Sequence, residues 1–459
     1  MSWALVASAS VSNASRVAAG NPRSRELRLL LPVLGIAPLG FAVTHIAQSG
    51  MLDPGPLQLA VIYGILLLGA HAALVVARQR GDELLLPVVG TLGAIGLVML
   101  NRLPQDLAGA GWLGLGMAAT QLVWFGLGLA TMVVATVGFR DDAALRHYKY
   151  TWALAGVGLL LYTLVFGTFV NDARLWVFIG PFGFQPSELI KIVLVVFFAA
   201  YLAENRSVLA GATYRLGAIN LPPLPYLLPM LVVFAAVMAV VVVGRDLGTA
   251  LLFFGIFLTM LFVGTGRRSY VVMGMVLFLV GSAAAYGLFG HVRARVDAWL
   301  DPWADPTDTG YQIVQALYAF GRGGLMGEGL GQGLPPVGNQ LPVPAIHNDF
   351  IFAAIGEELG LVGAAAVLAL AALLVVRGLR VSVLARDDFS ALLAVGLTAS
   401  LGLQILVIVG GNLKVIPLTG VTFPFVSYGG SSLVTSFAIV GLLLALSHRS
   451  IAAHGGRGP

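Results

Sequence analysis

Runs of 18 or more mostly apolar residues recur along the whole chain, at about residues 28–49, 58–78, 82–101, 119–138, 149–170, 187–204, 223–243, 247–265, 269–290, 350–376, 388–410 and 427–447. Each is long enough to cross a hydrocarbon core of about 30 Å as a helix. The pattern predicts an all-α polytopic integral membrane protein with about twelve transmembrane helices, because only helices and closed barrels satisfy their own backbone in lipid. The connections are short, apart from one long loop over about residues 291–349.

Composition sharpens this picture. With 58% hydrophobic and 10% charged residues and a mean hydropathy of +0.92, the 459-residue chain has too little polar surface to be a soluble protein. Its 58 glycines suit close helix packing and broken helices. The absence of cysteine excludes disulfides, a thiolate nucleophile and Cys-ligated metal. Residues 1–20 carry only Arg16 as a charge and lack a basic region followed by a long apolar run, so they read as a loose tail and not as a signal peptide. The net charge of +5 lies in short loops, which is no nucleic-acid signature.

With both termini cytoplasmic, all but eight of the 26 Lys and Arg fall on the inner side, as the positive-inside rule requires. The eight are Arg102, Arg174, Lys191, Arg245, Arg293, Arg295, Arg322 and Lys414, and most lie beside unusual polar motifs. This orientation puts every such motif on the outer side. Chemistry or transport at the outer leaflet of the plasma membrane is therefore expected.

The stretch Gly244-Arg245-Asp246-Leu247-Gly248-Thr249 places two charges in a break between apolar runs. Each such side chain costs roughly 2.5–3.5 kcal/mol at a helix centre unless it faces a cavity or a partner. Asp246 can equally cap the following helix through the N–H of Gly248 or Thr249, with Arg245 reaching lipid phosphate. In Gln185-Pro186-Ser187-Glu188-Leu189-Ile190-Lys191, proline suits a first helical turn, and Glu188 and Lys191 share one face. They form either a structural pair or a polar cavity for a charged or sugar-bearing substrate.

Within the long loop, Gly321 to Gly331 is glycine-rich, but no strand precedes it and no Gly-Lys-Ser/Thr ends it, so a phosphate loop is rejected. A flexible, re-entrant or surface-hugging segment is expected. Its end, His347-Asn348-Asp349, runs into an apolar stretch holding Glu357 and Glu358 about two turns inside the membrane. Farther on, Pro417 and Pro424 exclude one straight helix, and Ser427-Tyr428-Gly429-Gly430-Ser431-Ser432 permits a broken backbone lining a cavity.

The strings QPSELIK (185–191), DLGTALLF (246–253), GYQIVQALYAFGRGGLMGEGLG (310–331), HNDFIFAAIGEELGLVG (347–363) and IPLTGVTFPFVSYGGSS (416–432) resemble the SEDS family of bacterial cell-wall synthesis, the RodA, FtsW and SpoVE proteins. The resemblance covers roughly residues 150–447. Members commonly have ten spans, so two extra N-terminal helices are implied, with residues 1–27 as a tail, 28–138 as N-terminal helices, 139–449 as the catalytic core and 450–459 as a second tail. It implies a peptidoglycan glycosyltransferase that polymerises lipid II in cell elongation, partnered by a class B penicillin-binding protein and by membrane lipids. By position, Asp246 matches the family's essential aspartate and Glu188 and Lys191 its polar pair. Asp349 and Glu357 or Glu358 match its other carboxylates. The family usually has Gln-Pro where this chain has Gly244-Arg245.

Making a β-1,4 glycan from an α-linked lipid diphosphate requires a base for the acceptor hydroxyl and positive charge for the leaving diphosphate. Asp246 is expected to be that base or to position it. Arg245, Lys191 and a divalent cation, Mg²⁺ or Mn²⁺, are the expected neutralising groups, with Asp246, Asp349 and Glu188 as candidate metal ligands. Gln185, Ser187, Glu188, Thr249, His347, Asn348, Asp349, Glu357, Glu358, Ser427, Tyr428, Ser431 and Ser432 are expected to line the site for lipid II donor and acceptor. The competing readings are a flippase of lipid-linked precursors, a division-type polymerase of the FtsW kind, and a scaffold without activity of its own.

Overall fold

The structure is a computed structural model, and it describes residues 23–51, 54–103, 115–139, 142–170, 173–180, 182–211, 214–216, 219–221, 224–333, 343 and 345–455. The tail expected over 1–27 lies mostly outside these residues. Helices α1 (Ser24–Ser49), α2 (Pro54–Val76), α3 (Leu85–Asn101) and α4 (Met117–Gly138) come first. A short α5 (Ala143–His147) leads into α6 (Lys149–Phe166), then strands β1 (Thr168–Val170), β2 (Ala173–Ile179) and β3 (Phe182–Phe184), and α7 (Pro186–Gly211). Strands β4 (Tyr214–Leu216) and β5 (Ile219–Leu221) precede α8 (Leu224–Val243), α9 (Leu247–Thr265), α10 (Arg268–Leu288) and α11 (Gly290–Leu300). The chain finishes with α12 (Tyr311–Gly323), α13 (Ile351–Val383), α14 (Asp388–Asn412) and α15 (Gly430–Gly455).

Among the described residues, 11 helices are long and apolar enough to cross a membrane, and α3, apolar but only 17 residues long, accompanies them. The all-α bundle expected from the sequence is present. Small residues set how closely it packs. A Cβ on Gly128 of α4 would lie 2.3 Å from the Phe437 ring, and one on Gly441 of α15 would lie 2.5 Å from the Met132 carbonyl, so the two helices touch backbone to side chain at the first position and backbone to backbone at the second.

Four features depart from the sequence reading. The fifth apolar run, expected to reach residue 170, stops at Phe166, and the β-branched and aromatic residues beyond it form an antiparallel three-stranded sheet in the order β1-β2-β3. A smaller hairpin of β4 and β5 follows α7. The long loop is also structured: α12 buries Ile313, Val314, Ala316 and Ala319, while α13 is broken at Gly360 (φ 66°, ψ −169°) where the glycine-rich segment crosses it. Finally, α15 continues to Gly455, so the C-terminal tail expected from 450 is helical for most of its length.

Helix alternation sorts the charges to two ends of the bundle. At one end Asp142 accepts from Arg449 at 2.7 Å and from Arg146 Nε at 2.8 Å, Arg146 reaches Asp387 at 2.6 Å, and Arg377 Nε binds Asp82 at 2.8 Å. These pairs join the start of α3, the α4–α5 connection, the α13–α14 turn and the end of α15. Because Asp142 is buried and serves two arginines, Asp142→Asn is expected to lower stability by about 1–3 kcal/mol. A drop in the thermal midpoint of the detergent-solubilised protein checks this, and an unchanged midpoint would contradict it.

Candidate active site

The opposite end gathers most of the polar motifs. Helix α7 begins at Pro186, whose missing N–H costs nothing in a first turn. One turn in, the fully buried Lys191 donates to Glu188 at 2.7 Å and to Gln404 of α14 at 2.6 Å. Gln404 in turn donates to the Thr422 carbonyl at 2.9 Å and lies 3.4 Å from Ser432, while Thr422 donates to Ser432 at 2.7 Å. An ammonium sealed in the bundle is thus fully partnered, as burial of charge demands. Lys191 therefore holds elements together and does not reach out to a leaving group.

Asp246 is the N-cap of α9. Its Oδ1 accepts from the Thr249 N–H at 3.0 Å, and its Oδ2 lies 3.5 Å from Gln185 Nε2. Capping and site membership coexist, because the two carboxylate oxygens face different partners. Burial raises the Asp246 carboxyl above its ordinary value, with Thr249 and Arg295 opposing and Glu188 adding to the rise. Asp246 and Ser187 also line a narrow groove of about 20 Å³, together with Leu160, Thr163 and Leu164 of α6, Val240 and Val241 of α8, and Gly244 in the turn that follows α8.

The segment between α14 and α15 brings in the remaining groups. A Cβ on Gly248 would sit 2.3 Å from the Thr419 carbonyl, and Gly420 lies beside Asp349, with 3.7 Å from its would-be Cβ to Oδ2. Only glycine at 248 lets this segment cross the first turn of α9. Asn412 clamps the other side, donating to the Asp349 carbonyl at 2.7 Å and accepting from Ala353 N–H at 3.2 Å. Ser427 donates to the Asn348 carbonyl at 2.7 Å, Tyr428 N–H to the His347 carbonyl at 2.8 Å, and Gln121 of α4 to the Ser427 carbonyl at 3.0 Å. His347 Nδ1 and Asn348 Oδ1 are buried without a hydrogen-bond partner, which leaves a donor or acceptor position for substrate on each. Burial lowers the His347 imidazole and raises Asp349 to about 6. Ser431 is buried in the first turn of α15 beside the networked Ser432.

Glu357 and Glu358 are placed elsewhere. Glu358 pairs with Arg102 at 2.5 Å and accepts from the N–H groups of Gly331 and Gly333 at 3.0 and 3.2 Å, and Glu357 pairs with Arg322. Their half-helix stitches the glycine-rich segment to α3, apart from Asp246. A resident divalent ion is not supported by the donor set either. Among the described residues no three His, Asp or Glu side chains come together to hold an ion, Glu188 is committed to Lys191, and one oxygen of Asp246 is committed to its cap.

The family's sequence model, described as cell cycle protein and named for FtsW, RodA and SpoVE, matches residues 82–451. The chain belongs to the FtsW/RodA/SpoVE family. It is 39% identical over 434 residues to the peptidoglycan glycosyltransferase RodA of Mycobacterium tuberculosis, covering 93% of this chain and 91% of that protein. It is 34% identical over 378 residues to the FtsW of Geobacter metallireducens, covering 81% and 96%. Among solved structures it superposes at a TM-score of 0.65, with 28% identity over 80% of this chain and 98% of the other, on a chain from work on coordinated polymerisation and crosslinking by a peptidoglycan synthase complex. The family match begins after α1 and α2, so these two helices precede the shared SEDS body.

Gln404, Thr422, Gln121 and Asn412 are site residues that the sequence reading did not single out. A lone glutamine inside the apolar run at 388–410 was the available signal for Gln404. Two outcomes follow from the geometry. Removing the ammonium in Lys191→Met leaves the Glu188 carboxylate and Gln404 Oε1 without their partner inside the bundle and should cost about 3–5 kcal/mol, read as loss of folded protein in detergent, whereas unimpaired folding would refute the network. For Asp349, the raised folded value means that the unfolded chain ionises first. Stability therefore falls as pH rises from about 4 to about 6. Asp349→Asn should thus melt higher than the parent at pH 7 and nearly with it at pH 4, and parallel curves would exclude a buried, reluctant carboxyl.

Proposed function

We propose that this SEDS protein polymerises lipid II into β-1,4-linked peptidoglycan glycan during cell elongation, as a lipid-linked glycosyltransferase. The observation that carries the reading is the position of Asp246 in the lining of the narrow groove between α6 and α8, beside Gln185 and Ser187. A substrate with a polyprenyl tail has to enter from lipid, and this groove has apolar walls with a carboxylate in its lining. The elongation role is supported by the greater identity to RodA than to FtsW.

In this mechanism Asp246, raised by burial, takes the proton of the acceptor hydroxyl as its oxygen attacks the anomeric carbon of the donor. The new C–O bond forms as the bond to the diphosphate breaks from the opposite face, and the polyprenyl diphosphate leaves with the electron pair. The anomeric configuration inverts from α to β. His347 and Asn348 offer unpartnered polar atoms to the sugars, and Asp349, Thr249, Ser427 and Tyr428 complete the wall. No step is assigned to a metal. The orientation with this end extracytoplasmic and both termini inside rests on the charge asymmetry of the loops, and a class B penicillin-binding protein is the proposed crosslinking partner, in keeping with the synthase complex that the fold resembles.

The decisive assay is polymerisation of lipid II by the purified protein with and without such a partner. Asp246→Asn should keep its thermal midpoint yet lose on the order of 10²–10⁴ in rate. Glycan made at the parental rate by that variant would remove Asp246 from the chemistry.

A further inference from the structure

A second cavity, of about 290 Å³, lies between α1 and α3. Leu39 and Val43 of α1, Ile95 and Met99 of α3, Leu330 of the glycine-rich segment and Leu359 of α13 line it, and every lining side chain is apolar. Leu39 and Val43 are exposed on a helix long and apolar enough to cross the membrane, so the mouth of the cavity faces lipid. Gly40 and Val98, which also line it, bring the two helices into contact, since a Cβ on Gly40 would lie 2.5 Å from Val98. A helix with its side chains measures about 10–12 Å across, so the space suits a single hydrocarbon chain and not a helix. At about 30 Å³ for a water-sized group, it has room for roughly ten chain carbons, and an apolar space of this kind stays dry and takes up apolar guests. Its α1 wall precedes the residues matched by the family model.

A polar cluster adjoins this apolar space. Ile95, Val98, Met99 and Arg102 follow one another at helical spacing, so Arg102 stands about one turn beyond Val98 and Met99 on the same face of α3. Leu330 and Leu359 are the chain neighbours of Gly331 and Glu358, whose N–H and Oε2 meet at 3.0 Å. Arg102 joins the same cluster: Nη1 pairs with Glu358 at 2.5 Å, and a Cβ on Gly333 would lie 2.9 Å from that nitrogen. The Arg102 side chain is only 7% exposed, yet its Nε and Nη2 have no hydrogen-bond partner. Buried donors of a charged group are costly to leave unmade, so these two call for an oxygen that the protein does not provide. Together they form one edge of the guanidinium fork, the edge that can grip two oxygens of one phosphate.

We propose that this cavity is a phospholipid site, with one acyl chain in the slot between α1 and α3 and the phosphate on Nε and Nη2 of Arg102. A phosphate follows its acyl chain through a short ester-linked glycerol, which matches the single turn between Met99 and Arg102. Arg102 shares its charge with Glu358, so the site recognises the acceptor oxygens of the phosphate and not the net charge of the headgroup. The acyl chain of bulk phospholipid is also the occupant that a lipid-facing slot meets at the highest concentration. Leu330 lies between Gly329 and Gly331, whose N–H groups donate to the Glu358 carbonyl and carboxylate at 3.0 Å each, so a chain packed on Leu330 steadies the glycine-rich segment. The site does not depend on the polymerase chemistry at Asp246.

Binding to full-length protein, stripped of lipid in detergent, tests this. Dioleoyl-phosphatidylglycerol, dioleoyl-phosphatidylcholine, dioleoylglycerol and a polyprenyl phosphate are titrated in turn, and bound lipid is counted by native mass spectrometry. The variants are Val43→Trp at the mouth, Arg102→Lys, which keeps a cation for Glu358 but lacks the fork, and Val61→Trp on the exposed surface of α2 as a control. A single phospholipid should bind per chain with similar affinity for either headgroup, and dioleoylglycerol on the order of 10-fold more weakly. Val43→Trp and Arg102→Lys should each weaken phospholipid binding on the order of 10-fold, with Val61→Trp unchanged. The amides of residues 329–333 should exchange with deuterium more slowly once phospholipid is bound. Val43→Trp alters only a lipid-facing side chain, so it carries the test if Arg102→Lys does not fold. Equal affinity across the variants overturns the proposal, as does a folded Arg102→Lys that binds like the parent. Tighter binding of the polyprenyl phosphate than of either phospholipid would make the slot a polyprenyl site. Loss of a co-purifying penicillin-binding partner in Val43→Trp with lipid binding intact would make it a protein interface, and either result removes the phospholipid.

Discussion

The site depends on how one ammonium is satisfied inside an apolar bundle. Lys191 has no access to water, so its hydrogen-bonding demand is met by Glu188 on its own helix and Gln404 on α14. Because Gln404 spends its other end on Thr422 and Ser432, the irregular segment before α15 is drawn into the same network. That segment then crosses the first turn of α9 against Gly248 and sets Asp349 close to Asp246's helix. A single unavoidable electrostatic constraint thus propagates through four elements to the carboxylate that lines the groove.

The second polar system, around Glu358, works differently. Arg102, the N–H groups of Gly331 and Gly333, and the break at Gly360 hold the glycine-rich segment flat against α13. The added helix α1 takes part, since Gln48 donates to the Arg102 carbonyl at 2.9 Å and Gln332 donates to the Ala47 carbonyl at 3.1 Å. The first of the N-terminal helices ahead of the SEDS body is therefore tied to the end of the bundle that carries Arg102 and the glycine-rich segment. Buried carboxylates can be ligands or rivets, and their partners decide which. Glu357 and Glu358 face arginines and backbone donors of the protein itself. Asp246 keeps one oxygen for its cap and has the other 3.5 Å from Gln185 Nε2.

The spans, the start of α7 at Pro186 and the cap at Asp246 were legible in the sequence because each follows from local chemistry: hydrophobic length, a proline's missing donor, a carboxylate beside free N–H groups. The strand-forming run Leu175-Trp176-Val177-Phe178-Ile179 was hidden, since aromatic and β-branched residues at a membrane border read equally as the end of a span. The helical character of 311–323 was masked by the glycines around it.

What the sequence determined alone is an apolar, many-helix protein of a recognisable family, because hydropathy and motif spelling are properties of consecutive residues. Tertiary structure alone decided which polar groups share a chamber. It sent Glu357 to Arg322 on α12 and Glu358 to Arg102 at the end of α3, and enclosed Lys191 behind Gln404. The reason is physical: a buried charge is stabilised by whichever partner the packing brings within hydrogen-bonding reach, and that partner can stand more than 200 positions away along the chain, as Gln404 does from Lys191.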